Sequence, residues 1–189
     1  MKKKIALGLM MCMVVLSMMG CGEQASAVSA YTEWTDKVHM GDTPEQVQQA
    51  MGIEINEKGS AENRYWYDLP IQAENISKGD INIEFDGDVT SEQAKAWEKE
   101  LAIFMEEGVT EEEYRAVLLP WVEHFDDIYG ESEEEIDDKL GYIEYTWQDE
   151  TGEYERITLL CRQYDEKEEL LRAHVFWYGS EYDPTPEGW

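Results

Sequence analysis

The chain has 189 residues and carries 43 Asp and Glu against 15 Lys and Arg, a formal net charge of −28. A surface this acidic repels phosphates and anionic headgroups, so nucleic acid is excluded as a partner, and it attracts cations and basic proteins. Seven tryptophans and eleven tyrosines set it apart from disordered acidic tails, which lack aromatics, and predict a folded core beneath the charge.

Lys2, Lys3 and Lys4 open the chain, and Ile5 to Met19 follows without a charge. That run is too short to span a bilayer comfortably as a helix but long enough for the apolar part of a signal peptide. Met18-Met19-Gly20-Cys21 resembles the lipobox of bacterial lipoproteins, with a small residue before the cysteine and Met18 where leucine is more usual. The resemblance implies that residues 1–20 are a cleaved signal peptide and that Cys21 is lipidated. It also implies that 21–30 is a tether on the extracytoplasmic face of the cell membrane. At about 0.8 kcal/mol per buried methylene, two or more acyl chains anchor stably where one does not. Ala25-Ser26-Ala27 offers ordinary cleavage as the alternative. Cys161 lies in the apolar stretch Ile157 to Cys161 and reads as a small buried hydrophobe, not as half of a disulfide.

A helical pattern over Ser29 to Lys37 carries Tyr31 and Trp34, and a short helix follows Gly41. Thr43 caps it, Pro44 takes its first position, Val47 and Met51 share a face, and Gly52 ends it. Tyr65-Trp66-Tyr67 and Asp80 to Phe85 read as strands, the second with clean alternation, closed by the turn Asp86-Gly87-Asp88. Residues 91–111 are expected to link two halves of the chain, with a helix from Ser91 to Glu107. Thr90 and Gln93 would form its capping box, and Trp97, Leu101, Phe104 and Met105 its apolar face. Thr110 to Tyr129 reads as a helix that Pro120 kinks or splits. Three strands over Tyr142–Gln148, Glu153–Tyr164 and Leu170–Tyr178 form a meander. An extended tail occupies 179–189.

The chain contains a repeat. Gly41 to Gly52 and Gly130 to Gly141 both fit G-x-[T/S]-x-E-x-[V/I]-x-x-x-[M/L]-G, so Ser132 to Leu140 is expected to form a second short helix with Ser132 as its cap. A short helix ending in Met-Gly or Leu-Gly, then an aromatic strand and a meander, resembles the SmpA/OmlA (BamE-like) lipoprotein domain. Two such units, 28–90 and 112–178, are similar to the beta-lactamase inhibitor protein architecture. The resemblance implies an α+β fold of two repeats, each with short helices packed on an antiparallel meander, used for protein binding and not for chemistry.

No constellation for catalysis stands out. The carboxylates are too numerous for any pair to be singled out, and His39, His124 and His174 are scattered outside any metal-ligand spacing. Glu131 to Asp138 reads as a solvated acidic face, with weak calcium binding as the alternative. The expectation is therefore no enzyme, no cofactor and no metal. Aromatics supply the candidate binding surface: Tyr65 and Tyr67 on one strand face with Trp66 on the other, and Trp147 and Trp177 with Tyr178. Rings on a sheet suit protein contact, and the competing reading is that they are core. The implied partners are the membrane, through lipid on Cys21, and another protein, with basic surfaces favoured by charge. An immunity or inhibitor protein against a secreted basic toxin or enzyme is the first alternative function, and an envelope hydrolase the second.

Overall fold

A computed structural model describes residue 28 and residues 31–70, 73–150, 152–167 and 171–179. The expected signal peptide, Cys21, most of the tether and the tail beyond Gly179 lie outside the described residues. The fold is α+β. A helical segment over 31–35 precedes α1 (Pro44–Met51), β1 (Arg64–Asp68), β2 (Ile76–Phe85), β3 (Ala96–Met105), α2 (Glu111–Tyr129), β4 (Glu133–Asp137), β5 (Tyr142–Gln148), β6 (Tyr154–Arg162) and β7 (Arg172–Gly179). The strands form one antiparallel sheet in the order β1-β2-β3-β7-β6-β5-β4. No described helix is long and apolar enough to cross a membrane.

α1 forms for the local reasons its sequence announces. Thr43 Oγ1 accepts from the Gln46 amide at 3.3 Å, and Gln46 Oε1 accepts from the Thr43 amide at 2.8 Å, a reciprocal capping box. Val47 and Met51 are buried, and Gly52 closes the helix at φ 65°, a left-handed cap that favours glycine. α2 has the same device between Thr110 and Glu113 and runs unbroken through Pro120. Its face of Tyr114, Leu118, Trp121 and Phe125 is buried, and that packing outweighs the roughly 3 kcal/mol a mid-helix proline costs.

All the helical segments cover one face of the sheet. Phe125 meets Trp147 and Trp177 with ring centroids 5.1 and 5.9 Å away. Tyr31 packs on Trp121 at 6.1 Å and lies so close to Gly79 that a Cβ there would come within 2.4 Å of its ring. Beneath them run cross-strand rows of buried side chains, such as Tyr67, Ile81, Leu101, Val175 and Leu159. Lys99 occupies one of these core positions and is 1% exposed. Its Nζ donates to the carbonyls of Thr35 and Val38 at 2.8 and 3.1 Å and to the Tyr154 hydroxyl at 2.8 Å. It thereby ties the end of the first helical segment to the sheet. Burial pulls its pKa down to about 8 against the pull of Asp36, Glu153 and Asp42.

Two expectations are overturned. The expected linking helix is β3, a central strand paired with β2 and β7. Leu101, Ile103 and Met105 alternate toward the helices, while Thr90 sits in a turn, its amide donating to Asp88 Oδ1 at 2.7 Å, and caps no helix. Ala, Glu, Lys and Leu favour helix in isolation, but pairing with β2 on one side and β7 on the other outweighs that preference. The second copy of the motif is also not a helix. Glu133–Asp137 pairs with β5 as an edge strand, and the Ser132 amide donates to Asp126 Oδ1 at 3.1 Å instead of Ser132 capping a turn. Ile136 and Leu140, the counterparts of Val47 and Met51, are 54% and 67% exposed. α2 already covers this half of the sheet, so a helix here would have no apolar surface to bury. What the two copies share is positive φ at both glycines, 86° and 91° at Gly41 and Gly130 and 65° and 69° at Gly52 and Gly141, and Gly141 turns the chain from β4 into β5.

Candidate functional site

The helices occupy one face, and among the described residues no helix packs on the other. Because side chains alternate along a strand, the register that makes the core rows also fixes the rows on this open face. One runs Trp66, Asn82, Glu100, Phe176, Thr158, Thr146; the next runs Arg64, Glu84, Glu98, Tyr178, Arg156. The site is therefore a sheet surface in which rings and carboxylates sit side by side.

Along β7 the rings form a ladder. His174 and Phe176 are 5.9 Å apart with planes at 9°, and Phe176 and Tyr178 are 6.0 Å apart at 14°. Arg156 lies over the Tyr178 ring with Cζ 4.8 Å from its centroid. At the other side Trp66 is half-buried, its ring pressed by the Gly59 backbone and with Arg64 Cζ 6.0 Å from its centroid. The backbone of β1 is not a bare edge there, since the Asn56 amide donates to the Trp66 carbonyl at 2.7 Å and the Trp66 amide to Ser60 Oγ at 3.0 Å.

The carboxylates on this face are electrostatically unequal. Burial, and then the charges of Glu84 and Glu100, push Glu98 up to about 7. Burial raises Glu84 too, and Arg64, with Nη1 3.7 Å from Glu84 Oε1, only partly offsets it. Burial also pushes Glu100 upward, but the hydrogen bond and charge of His174, with the Asn82 amide, outweigh it and hold the carboxyl below the usual range. Asp80 is raised by burial even though Lys78 Nζ bridges it to Asp68 at 2.7 and 3.2 Å. Asn82 Oδ1 and Thr158 Oγ1 are buried on this face without a hydrogen-bond partner among the described residues.

Of the six aromatic candidates, the structure divides four from two. Tyr65, Tyr67, Trp147 and Trp177 face the helices and are core, which corrects their reading as binding surface: small sheets depend on such rings for burial. Trp66 and Tyr178 are on the open face, half-buried. The lipidation candidate Cys21 lies outside the described residues. Cys161 is a buried free thiol whose pKa burial raises to about 12, an inert position. His39 is exposed, with Nδ1 3.1 Å from Glu153 Oε1, and His124 packs beside Phe125. His174 and Glu100 form a hydrogen-bonded pair, but the strand neighbours of His174 are Ala102 and Leu160, which offer no nucleophile. Among the described residues, no three His, Cys, Asp or Glu side chains converge as a metal site. A concavity of about 770 Å³ opens between α1 and β1, lined by Gln48, Ile53, Glu54, Ile55, Glu57 and Tyr65 among others.

Sequence reasoning misses Asn82, Glu98, Glu100 and Phe176. The usable signal is in β7, where His174, Phe176 and Tyr178 alternate with Ala173, Val175 and Trp177, so that the face opposite the core side chains carries three rings. Compared with family models, with curated proteins and with solved structures, the chain finds no match.

Proposed function

We propose that this protein is a lipid-anchored binding module on the extracytoplasmic face of the cell membrane, holding a protein partner against the open face of its sheet and doing no chemistry of its own. The observation that carries this is the sheet's asymmetry. Helices cover one face, while the other sets Trp66, Phe176 and Tyr178 among Glu84, Glu98 and Glu100. Rings give large contact area at low entropy cost, and carboxylates choose basic partners and steer their approach. The lipobox-like Met18 to Cys21 supports the anchor, and the acidity makes lipid necessary, because the protein's own charge repels anionic headgroups. We read the molecule as two joined α+β units, α1 with β1–β3 and α2 with β5–β7, related to BamE-like domains. The order of elements supports this, and the strand at 133–137 departs from it.

The test has two arms. Trp66→Ala combined with Tyr178→Ala should reduce recovery of the partner from envelopes while the chain stays folded. Undiminished recovery would remove the open face from the interface. Cys21→Ala should abolish incorporation of labelled lipid precursor and release the protein from the membrane; a variant that still labels would sink the anchor. An inhibitor or immunity role against a secreted basic protein is the second reading, favoured by the net charge of −28. It requires association that slows steeply with salt and a toxin sensitivity that changes on deletion.

A further inference from the structure

The centre of the open face sets an unmet acceptor among carboxylates and rings. Glu84 lies opposite Glu98, and Asn82 opposite Glu100, a square of polar side chains on β2 and β3. Asn82 is 5% exposed, and its Nδ2 donates to Glu100 Oε2 at 3.2 Å. That bond fixes the amide, since the flipped form would set oxygen against carboxylate. Oδ1 is then a buried acceptor without a donor among the described residues, and such acceptors are costly to leave unmet. Trp66 flanks the square on β1, and Phe176 and Tyr178 flank it on β7. Three strand spacings separate the two sides, roughly 14 Å. The chain's own guanidinium groups stand at the ends, Arg64 by Glu84 and Arg156 over Tyr178. Between them, no described basic side chain bridges Glu98.

We propose that this part of the face receives an arginine side chain of a basic protein partner, which parts the side chains over Asn82 so that its guanidinium hydrogen-bonds to Oδ1, pairs with Glu98 and lies against the Phe176–Tyr178 ladder. Guanidinium is planar, carries five N–H donors, is weakly hydrated and stacks on rings, so one group can satisfy an amide oxygen, a carboxylate and an aromatic face together. Lysine offers a compact, strongly hydrated point charge. Arg156 on Tyr178 already places a guanidinium on this ladder from within the chain. The inference rests on the reading of the open face as the partner-binding surface.

The lipidated protein in detergent micelles is titrated, by its tryptophan fluorescence, with a short peptide bearing one central arginine and with its citrulline and lysine analogues. The arginine peptide should bind at least about tenfold more tightly than the citrulline peptide, and more tightly than the lysine peptide. Glu98→Gln, a near-isosteric change, and Asn82→Leu should each erase that preference. Glu133→Gln with Glu135→Gln, on the distant edge strand β4, removes more charge and should leave the preference intact. Equal affinity for arginine and citrulline overturns the proposal. So does an equal loss from the edge-strand pair, which would assign binding to bulk acidity. Envelope recovery that depends on Trp66 and Tyr178 without any arginine preference overturns this inference and leaves the binding reading standing. Recovery that ignores both rings overturns the binding reading, and this one with it.

Discussion

Under the helices, the row Tyr67, Ile81, Leu101, Val175, Leu159 is apolar and closed to water. One residue away along each strand, the row Trp66, Asn82, Glu100, Phe176, Thr158 mixes rings with an amide, a carboxylate and a hydroxyl, and has no helix over it. Backbone, register and strand order are the same for both. What differs is only which side the helices chose, so stability and recognition are carried by alternate residues of the same strands. Substitutions on adjacent residues should therefore separate the two properties.

The largest expected contrast is between tryptophans. Trp147→Ala empties a core site against Phe125 and should cost about 3–5 kcal/mol of unfolding free energy. Trp66→Ala should cost about 1 kcal/mol and act mainly on partner binding. Urea unfolding of the two variants measures this, and equal losses would erase the distinction between the faces.

Among the described residues, Lys99 is the one charged side chain placed on the covered side at a central strand position, and it breaks the comparison in a defined way. Lys99→Met strands the Thr35 and Val38 carbonyls and the Tyr154 hydroxyl, and should destabilise at pH 7 by about 1–3 kcal/mol. The parent's stability should also depend on alkaline pH. Its folded pKa, about 8, lies below the ordinary 10.5, so above pH 8 the unfolded chain binds the extra proton and stability climbs with pH. Beyond about pH 10 the trend reverses. Tyr31 and Tyr129, raised to about 12 chiefly by burial, keep their protons in the fold while the unfolded chain loses them. Urea midpoints at pH 7, 9 and 11 should rise and then fall for the parent. The variant should lack the rise, and a parallel rise in it would assign the effect to another group.

That lysine also explains where the sequence is hard to read. α1 is legible because its signals are local: a hydroxyl cap, Pro44, a residue pair four apart and a left-handed glycine. β5, β6 and β7 are legible because alternation is strong. β3 is not, because Lys99 stands where alternation calls for an apolar residue, and Trp97, Leu101, Phe104 and Met105 then imitate a helix face. The second motif copy is illegible for the opposite reason. Its local signals for helix are sound, but α2 has taken the surface such a helix would need. Alternation likewise shows that Tyr65 and Tyr67 share a face opposite Trp66, yet only long-range packing decides which face is covered. Among 43 acidic residues, nothing in composition marks Glu98 or Glu100. Cross-strand register and burial single them out.

The smallest expected effect lies on the open face and tests whether its carboxylates are under electrostatic strain. Glu98 is pushed up to about 7 from an ordinary 4.5, by burial and by Glu84 and Glu100. An acid whose folded pKa is raised holds its proton longer in the fold than in the unfolded chain. Its contribution to stability is therefore full below about pH 4.5 and declines as pH rises through 7. Glu98→Gln keeps the shape and removes that decline, so its melting temperature should exceed the parent's at pH 8 and match it near pH 5. Arg64, Glu84, Glu100, His174, Tyr178 and Arg156 surround the position in both proteins, and loss of the Glu98 charge also relieves Glu84 and Glu100, which acts in the same direction at pH 8. A variant that melts lower than the parent at pH 8 would mean that the ionised carboxylate is already well paired, which would close the slot between the rings to an incoming cation.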